Sequence, residues 1–179
     1  YPLRRQRQMC IRDRIQTNLI VSATAKIKPP TDNKVPIEIT IVERHHRTIG
    51  AGVGYESDEG FGVSTEWEHR NMMNRGQKLG FDIHLAQKAQ RLSSTLIFPH
   101  FKHNDQSITF YSDLEREETD AFESKTGTMG MVLARQLTPK LSGFVGIEQA
   151  LSKVLEDNEE DRFALLSLPA SLEYDQRNE

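Results

Sequence analysis

Between Lys78 and Ala86 the residues Leu79, Phe81, Ile83 and Leu85 alternate with Lys78, Gly80, Asp82, His84 and Ala86. A period of two over that length specifies a strand with one apolar and one polar face. Eight such segments follow one another, at about 48–57, 61–69, 77–86, 90–98, 106–117, 125–137, 141–152 and 162–175, with a turn signal after almost every one. No helix-period stretch lies between them. A series of amphipathic strands suggests a membrane β-barrel, because a bilayer-spanning strand needs about 9–11 tilted residues. A mean hydropathy of −0.60 and 36% hydrophobic residues argue against membrane helices. They leave the barrel open, since inward positions are polar and dilute the average.

The strand faces carry the pattern further. Ile49, Ala51, Val53 and Tyr55 would face lipid, with Gly50, Gly52, Gly54 and Glu56 turned in. Phe61, Val63, Thr65 and Trp67 oppose Ser64, Glu66 and Glu68, and Leu166, Leu168, Ala170, Leu172 and Tyr174 oppose Ser167, Ser171, Glu173 and Asp175. Tyr55, Trp67, Phe98 and Tyr174 fall near strand ends, the level of the aromatic girdles at a membrane interface. The connections also alternate in charge. Those at 57–60, 115–126 and 156–161 are acidic, whereas 70–78 and 138–140 carry Arg or Lys. In an up-and-down barrel alternate connections share a side, so the expectation is longer acidic loops on one side and shorter turns on the other.

The amino terminus is read separately. Residues 4–14 resemble the translation of a transposon-based sequencing adapter, so 1–14 are expected to be disordered and to take no part in the fold. This stretch contains the only cysteine, Cys10, together with Arg4, Arg5, Arg7, Arg12, Arg14 and Asp13. Its net charge of +4 within a total of −3 leaves −7 for the rest. The remaining basic residues are scattered or lie in turns, so no phosphate-tracking patch and no nucleic-acid partner are expected.

Residues 15–46 read as a hairpin of their own, with β-rich stretches at 19–27 and 35–43 around the turn cluster 29–34. Residues 47–179 then form the barrel part. The series Val35-Pro36-Ile37-Glu38-Ile39, a polar connector, Ile49-Gly50-Ala51-Gly52-Val53-Gly54-Tyr55-Glu56-Ser57-Asp58, Trp67-Glu68-His69-Arg70-Asn71 and Asn74-Arg75-Gly76-Gln77-Lys78-Leu79 resembles the junction of the last POTRA domain with the barrel in BamA/TamA-type outer-membrane assembly factors. Leu165-Leu166-Ser167-Leu168-Pro169 and Tyr174-Asp175-Gln176-Arg177-Asn178 are similar to the TamA-like branch. The resemblance implies an all-β chain holding the last POTRA hairpin and the first eight of sixteen barrel strands, and a fragment of a bacterial outer-membrane insertase. It implies unfolded outer-membrane clients as partners, with membrane lipid, lipopolysaccharide and a periplasm-spanning or lipoprotein subunit. No enzyme activity and no cofactor are implied.

In such proteins a client strand adds to the edge of the first barrel strand by β-augmentation, which backbone hydrogen bonding makes sequence-tolerant. Here that edge would be Thr48, Ile49, Gly50, Ala51, Gly52, Val53, Gly54, Tyr55 and Glu56. Two roles for the glycines stay open: they weaken a strand and admit a second backbone, or they make room inside the lumen.

Other readings compete. Gly50, Gly52 and Gly54 have the wrong spacing for a dinucleotide loop, and an acidic turn follows where a helix should begin. His45-His46 and His100/His103 lack convergent partners for zinc, and 156–161 lacks the pattern of a calcium loop. Asp82 and His84 share one face and form a conceivable acid–base dyad without a positioned third group. A complete small structural or adhesive outer-membrane barrel is the main alternative, and a soluble β-sandwich the next.

Overall fold

The computed structural model describes residues 20–29, 35–119, 121–156 and 159–176. Residues 4–14 with Cys10, and most of the turn cluster at 29–34, lie outside them. The chain divides into two units between His46 and Arg47. The described part of the first unit is a hairpin of β1 (Ile20–Ile27) and β2 (Ile37–Glu43), paired antiparallel from Ile20↔Glu43 to Ile27↔Ile37. Pro36, which has no N–H to give, sits just ahead of β2 and accepts from Lys28 N–H at 3.0 Å instead.

The second unit is one antiparallel sheet of β3 (Arg47–Glu56), β4 (Gly60–His69), β5 (Lys78–Ala86), β6 (Ala89–Phe98), β7 (Gln106–Glu118), β8 (Phe122–Thr138), β9 (Leu141–Glu156), β10 (Glu159–Ser167) and β11 (Ala170–Tyr174). Each strand from β3 to β10 pairs with the next, and β11 also pairs with β9. The register of β10 on β9 (Ser167↔Glu148) continues unshifted into that of β11 (Ala170↔Val145). β10 and β11 are therefore one eighth strand, interrupted at Leu168-Pro169 because Pro169 cannot donate to a ladder. Its carbonyl still accepts from Gly146 N–H at 2.8 Å. The eight alternating segments of the sequence thus correspond to the eight strand positions of the sheet.

Cross-strand partners share a face, so the register assigns every side chain. The row Ile49, Trp67, Phe81, Ser94, Ser112, Met129, Gln149, Leu166 lies on one face, and the row Gly50, Glu66, Asp82, Ser93, Asp113, Thr128, Ala150, Leu165 on the other. The first face is mainly apolar, and two of its polar members pair: Ser94 Oγ meets Ser112 Oγ at 3.0 Å. The second is mostly polar or small over β3–β8, apart from Ile97 and Val132. It turns apolar at the far end, where Phe144, Phe163 and Leu165 stand on it.

Among the described residues Ala89, Ile108 and Gln77 alone are buried, while Val53 is 87% and Leu172 74% exposed. A single layer cannot bury its apolar face against itself; lipid or a second layer must cover it.

Connection lengths correct the sequence expectation. The acidic stretches 115–118, 122–126 and 159–161 belong to the strands, so the connections at that end have only two or three residues. The long ones are at the opposite end, where β3 begins: eight residues at 70–77 and seven at 99–105. Hydrogen bonds order these turns. Gly76 N–H donates to Asn71 Oδ1 (2.8 Å), and Arg75 N–H to Gln77 Oε1 (3.1 Å). The acidic segments stay extended because cross-strand ion pairs, described below, continue their ladders.

Candidate functional site

β3 is paired with β4 over its whole length, from Arg47↔His69 to Glu56↔Gly60. Its other edge pairs with no strand among the described residues. Such an edge presents a row of unpaired backbone donors and acceptors, a template for a further strand. Ile49, Ala51, Val53 and Tyr55 stand on the apolar face, and Thr48, Gly50, Gly52, Gly54 and Glu56 on the polar face.

The glycines differ in their surroundings. A Cβ on Gly50 would come within 2.5 Å of Glu66 Oε1 and 2.6 Å of its Cγ, because the Glu66 side chain lies across β3 at that point. A Cβ on Gly52 would meet Ser64 Oγ at 2.9 Å, whereas one on Gly54 would meet nothing within 4 Å. Room for a neighbouring side chain accounts for Gly50 and Gly52, and leaves Gly54 as a gap in an open wall.

Beside this strand the polar face forms a groove of about 470 Å³, lined by Gly50, Ser64, Glu66, Asp82, His84 and Arg91. His84 Nε2 lies 2.8 Å from Glu59 Oε2 in the β3–β4 turn, and Lys88 N–H donates to the Glu59 carbonyl (3.1 Å). The carboxylate that meets His84 is therefore Glu59 from a turn, not Asp82, and the contact ties the first hairpin to β5. Arg91 Nη2 reaches Glu115 Oε1 at 2.5 Å. Tyr111 passes over Gly130 to donate to Glu148 Oε2 at 2.6 Å, bridging β7 to β9 across β8. These bonds brace the wall, and none leaves a nucleophile beside a free base.

The four strand-end aromatics all stand on the apolar face. Tyr55 packs on Phe61 with ring centroids 4.9 Å apart, at the acidic end of the sheet. Trp67 packs on Phe81 (5.9 Å), Phe98 meets Phe110 edge-on (6.1 Å), and Tyr174 pairs with Leu141, all toward the other end. Among the described residues no group of three or more His, Cys, Asp or Glu could hold a metal. His100 Nδ1–H instead donates to the Asn104 carbonyl (2.8 Å) and closes its own turn. Asp105, at the end of that turn, accepts from Arg135 Nε at 3.0 Å. This bond holds its carboxyl below the usual carboxylate range.

Sequence reading missed one arrangement. Arg116, Lys125, Lys153 and Arg162 stand directly opposite one another on β7, β8, β9 and β10, all on the apolar face. They are 9, 28 and 9 residues apart in the chain, so the sequence shows them only as scattered cations.

No protein-family model matches the sequence, and no curated protein matches it. Among solved structures the chain is similar to BamA from Haemophilus ducreyi lacking POTRA domains 1–3. The TM-score is 0.69 at 17% identity, over 96% of this chain. The chain spans 38% of the length of that structure. At this identity the likeness shows the fold: the long antiparallel sheet matches part of the BamA barrel.

Proposed function

We propose that this chain is part of a bacterial outer-membrane assembly factor, a non-enzymatic barrel at whose first strand an unfolded client β-strand adds. The observation that carries the reading is β3: fully paired on one edge, without a strand partner on the other among the described residues, and set in a sheet of BamA-barrel form. Strand addition uses backbone groups that every client possesses, so one edge can serve many sequences. Residues 48–56 supply that edge. Gly50, Gly52 and Gly54 weaken the strand and suit the close approach of a second backbone.

In this reading the apolar face meets lipid, and Tyr55, Trp67, Phe98 and Tyr174 anchor at the interfaces. The end where β3 begins is periplasmic, the short acidic turns are extracellular, and β1–β2 is the last hairpin of a POTRA domain that delivers clients. The TamA-like branch is supported by the sequence segments 165–169 and 174–178 alone. Membrane lipid, lipopolysaccharide and a periplasm-spanning or lipoprotein subunit are the remaining partners.

The test is site-directed crosslinking. Single cysteines at Thr48, Gly50, Gly52 and Gly54 should form disulfides with cysteines in the last strand of an arriving client barrel. A cysteine at Phe81, two strands away from the edge, should not. Equal or absent crosslinking at all positions would refute strand addition at β3 and favour a small structural or adhesive barrel.

A further inference from the structure

The row Arg116–Lys125–Lys153–Arg162 sets three adjacent pairs of like charges directly opposite one another, an arrangement that by itself is destabilising. It runs across four strands, on the order of 14 Å at the spacing of neighbouring strands. One cross-strand row toward the middle of the sheet lie Leu114, Gly127, Leu151 and Ala164 on the same face, the edge of the apolar band. One row outward lie Glu118, Glu123, Leu155 and Glu160. The row therefore marks the level where the apolar surface gives way to charge.

The three carboxylates of the outer row hold the cations without exhausting them. Arg116 reaches Glu123 (3.0 Å) and Glu118 (3.3 Å), and Lys125 reaches Glu123 (3.0 Å). Lys153 and Arg162 both reach Glu160, each at 2.6 Å. Four cations share three carboxylates, and all four remain solvent-accessible, with Arg162 77% exposed. A Lys carries three donors and an Arg five, so most donors are not used by these bridges. If intramolecular pairing alone were the purpose, opposite charges would face each other within a row. Here each row keeps one sign, cations inward and carboxylates outward.

We infer that this row is a docking surface for phosphate groups of membrane glycolipid at the end of the sheet remote from the start of β3. Charge complementarity fits phosphate, since Arg and Lys are its ordinary partners. Continuity with the apolar face fits a lipid, whose acyl chains would lie against Leu114 and Leu151 while its phosphates meet the cations one row above. The inference rests on the barrel reading, which places the apolar face in lipid.

The test uses the full chain and vesicle flotation. Three vesicle compositions are compared: phosphatidylcholine alone, phosphatidylcholine with diphosphorylated lipid A, and phosphatidylcholine with the same glycolipid stripped of its phosphates. The natural chain should partition into all three, with a preference for the phosphorylated vesicles that weakens as salt is raised. The variant Arg116→Gln/Lys125→Gln/Lys153→Gln/Arg162→Gln should retain neutral-vesicle binding and lose the preference by about tenfold or more, one charge near an anionic surface being worth about fivefold.

A second variant, Glu118→Gln/Glu123→Gln/Glu160→Gln, should strengthen the preference, an opposite sign that misfolding does not produce. A natural chain with no preference, or a preference unchanged in both variants, overturns the inference while leaving the barrel reading intact. Equal competition by inorganic phosphate at matched phosphate concentration also overturns it, since the row would then hold a free anion and not a lipid. Failure of every protein to float with any vesicle refutes the barrel reading itself.

Discussion

Two glycines in the same sheet should answer the same substitution with opposite signs. Gly146 lies on β9 between Val132 of β8 and the interrupted stretch at Pro169. A Cβ there would meet the Met131 carbonyl at 2.9 Å, Val132 Cγ2 at 3.0 Å and Pro169 Cγ at 3.1 Å. The first of these is backbone held in a ladder, and the proline ring is rigid, so neither yields cheaply. Gly54, on the free-edge strand, has nothing within 4 Å of the same position. Neither has the positive φ that would itself forbid a side chain.

Replacing Gly by Ala in a strand stabilises by about 0.5–1 kcal/mol, because the unfolded chain loses freedom. Gly54→Ala should show that gain. At Gly146 the same gain is opposed by overpacking of about 1–3 kcal/mol, leaving a net loss of up to about 2.5 kcal/mol. The alanine keeps its N–H, so the 2.8 Å bond to the Pro169 carbonyl survives and the loss is steric. Equilibrium urea unfolding in detergent micelles, followed by the fluorescence of Trp67 (the only tryptophan), measures both variants against the natural chain. Adding Pro169→Ala to Gly146→Ala should recover less than half the loss, since the Met131 carbonyl remains. If Gly146→Ala proves as stabilising as Gly54→Ala, the packing argument for the interrupted strand is wrong.

Two further outcomes follow from the braces in the wall. Tyr111→Phe keeps the ring over Gly130 but removes the 2.6 Å donation to Glu148. It should cost about 1–2 kcal/mol in the same unfolding assay, and Glu148→Gln, which keeps an acceptor, should cost less. The Asp105–Arg135 contact sets a pH dependence, since Asp105 titrates below its unfolded value of about 3.9. Its contribution is fully present above that unfolded value and is lost as pH falls through the lowered folded one. Titration of Asp105 by NMR should move back toward the ordinary value in Arg135→Gln, and an unchanged midpoint would show that the guanidinium is not the cause.

The strand pattern was legible because alternation is local: each residue's face follows from its neighbours in the chain. Expected and observed strands agree closely at 77–86 against Lys78–Ala86 and at 90–98 against Ala89–Phe98. The largest boundary differences are in β8, β9 and β10, whose acidic ends read as loops. Clustered charge is a correlate of loops, but Glu123 and Glu160 are each held between two cations and their strands continue. The partner of His84 was hidden for a related reason. Sharing a strand face brought Asp82 and His84 to the same groove, while Glu59, 25 residues away, arrived through a turn that the sequence does not position.

By itself the sequence determined that the chain makes eight amphipathic strands, and which parity is apolar in the first three and in the stretch from Leu166 to Tyr174. It also marked the first strand as short-side-chained on one face. Only the tertiary structure decided the register, and register is a relation between distant segments that no local pattern encodes. One register gathers Arg116, Lys125, Lys153 and Arg162, which the sequence scatters, into a single row at the edge of the apolar face. Among the described residues β3 also ends the strand order, so that its second edge has no strand partner there.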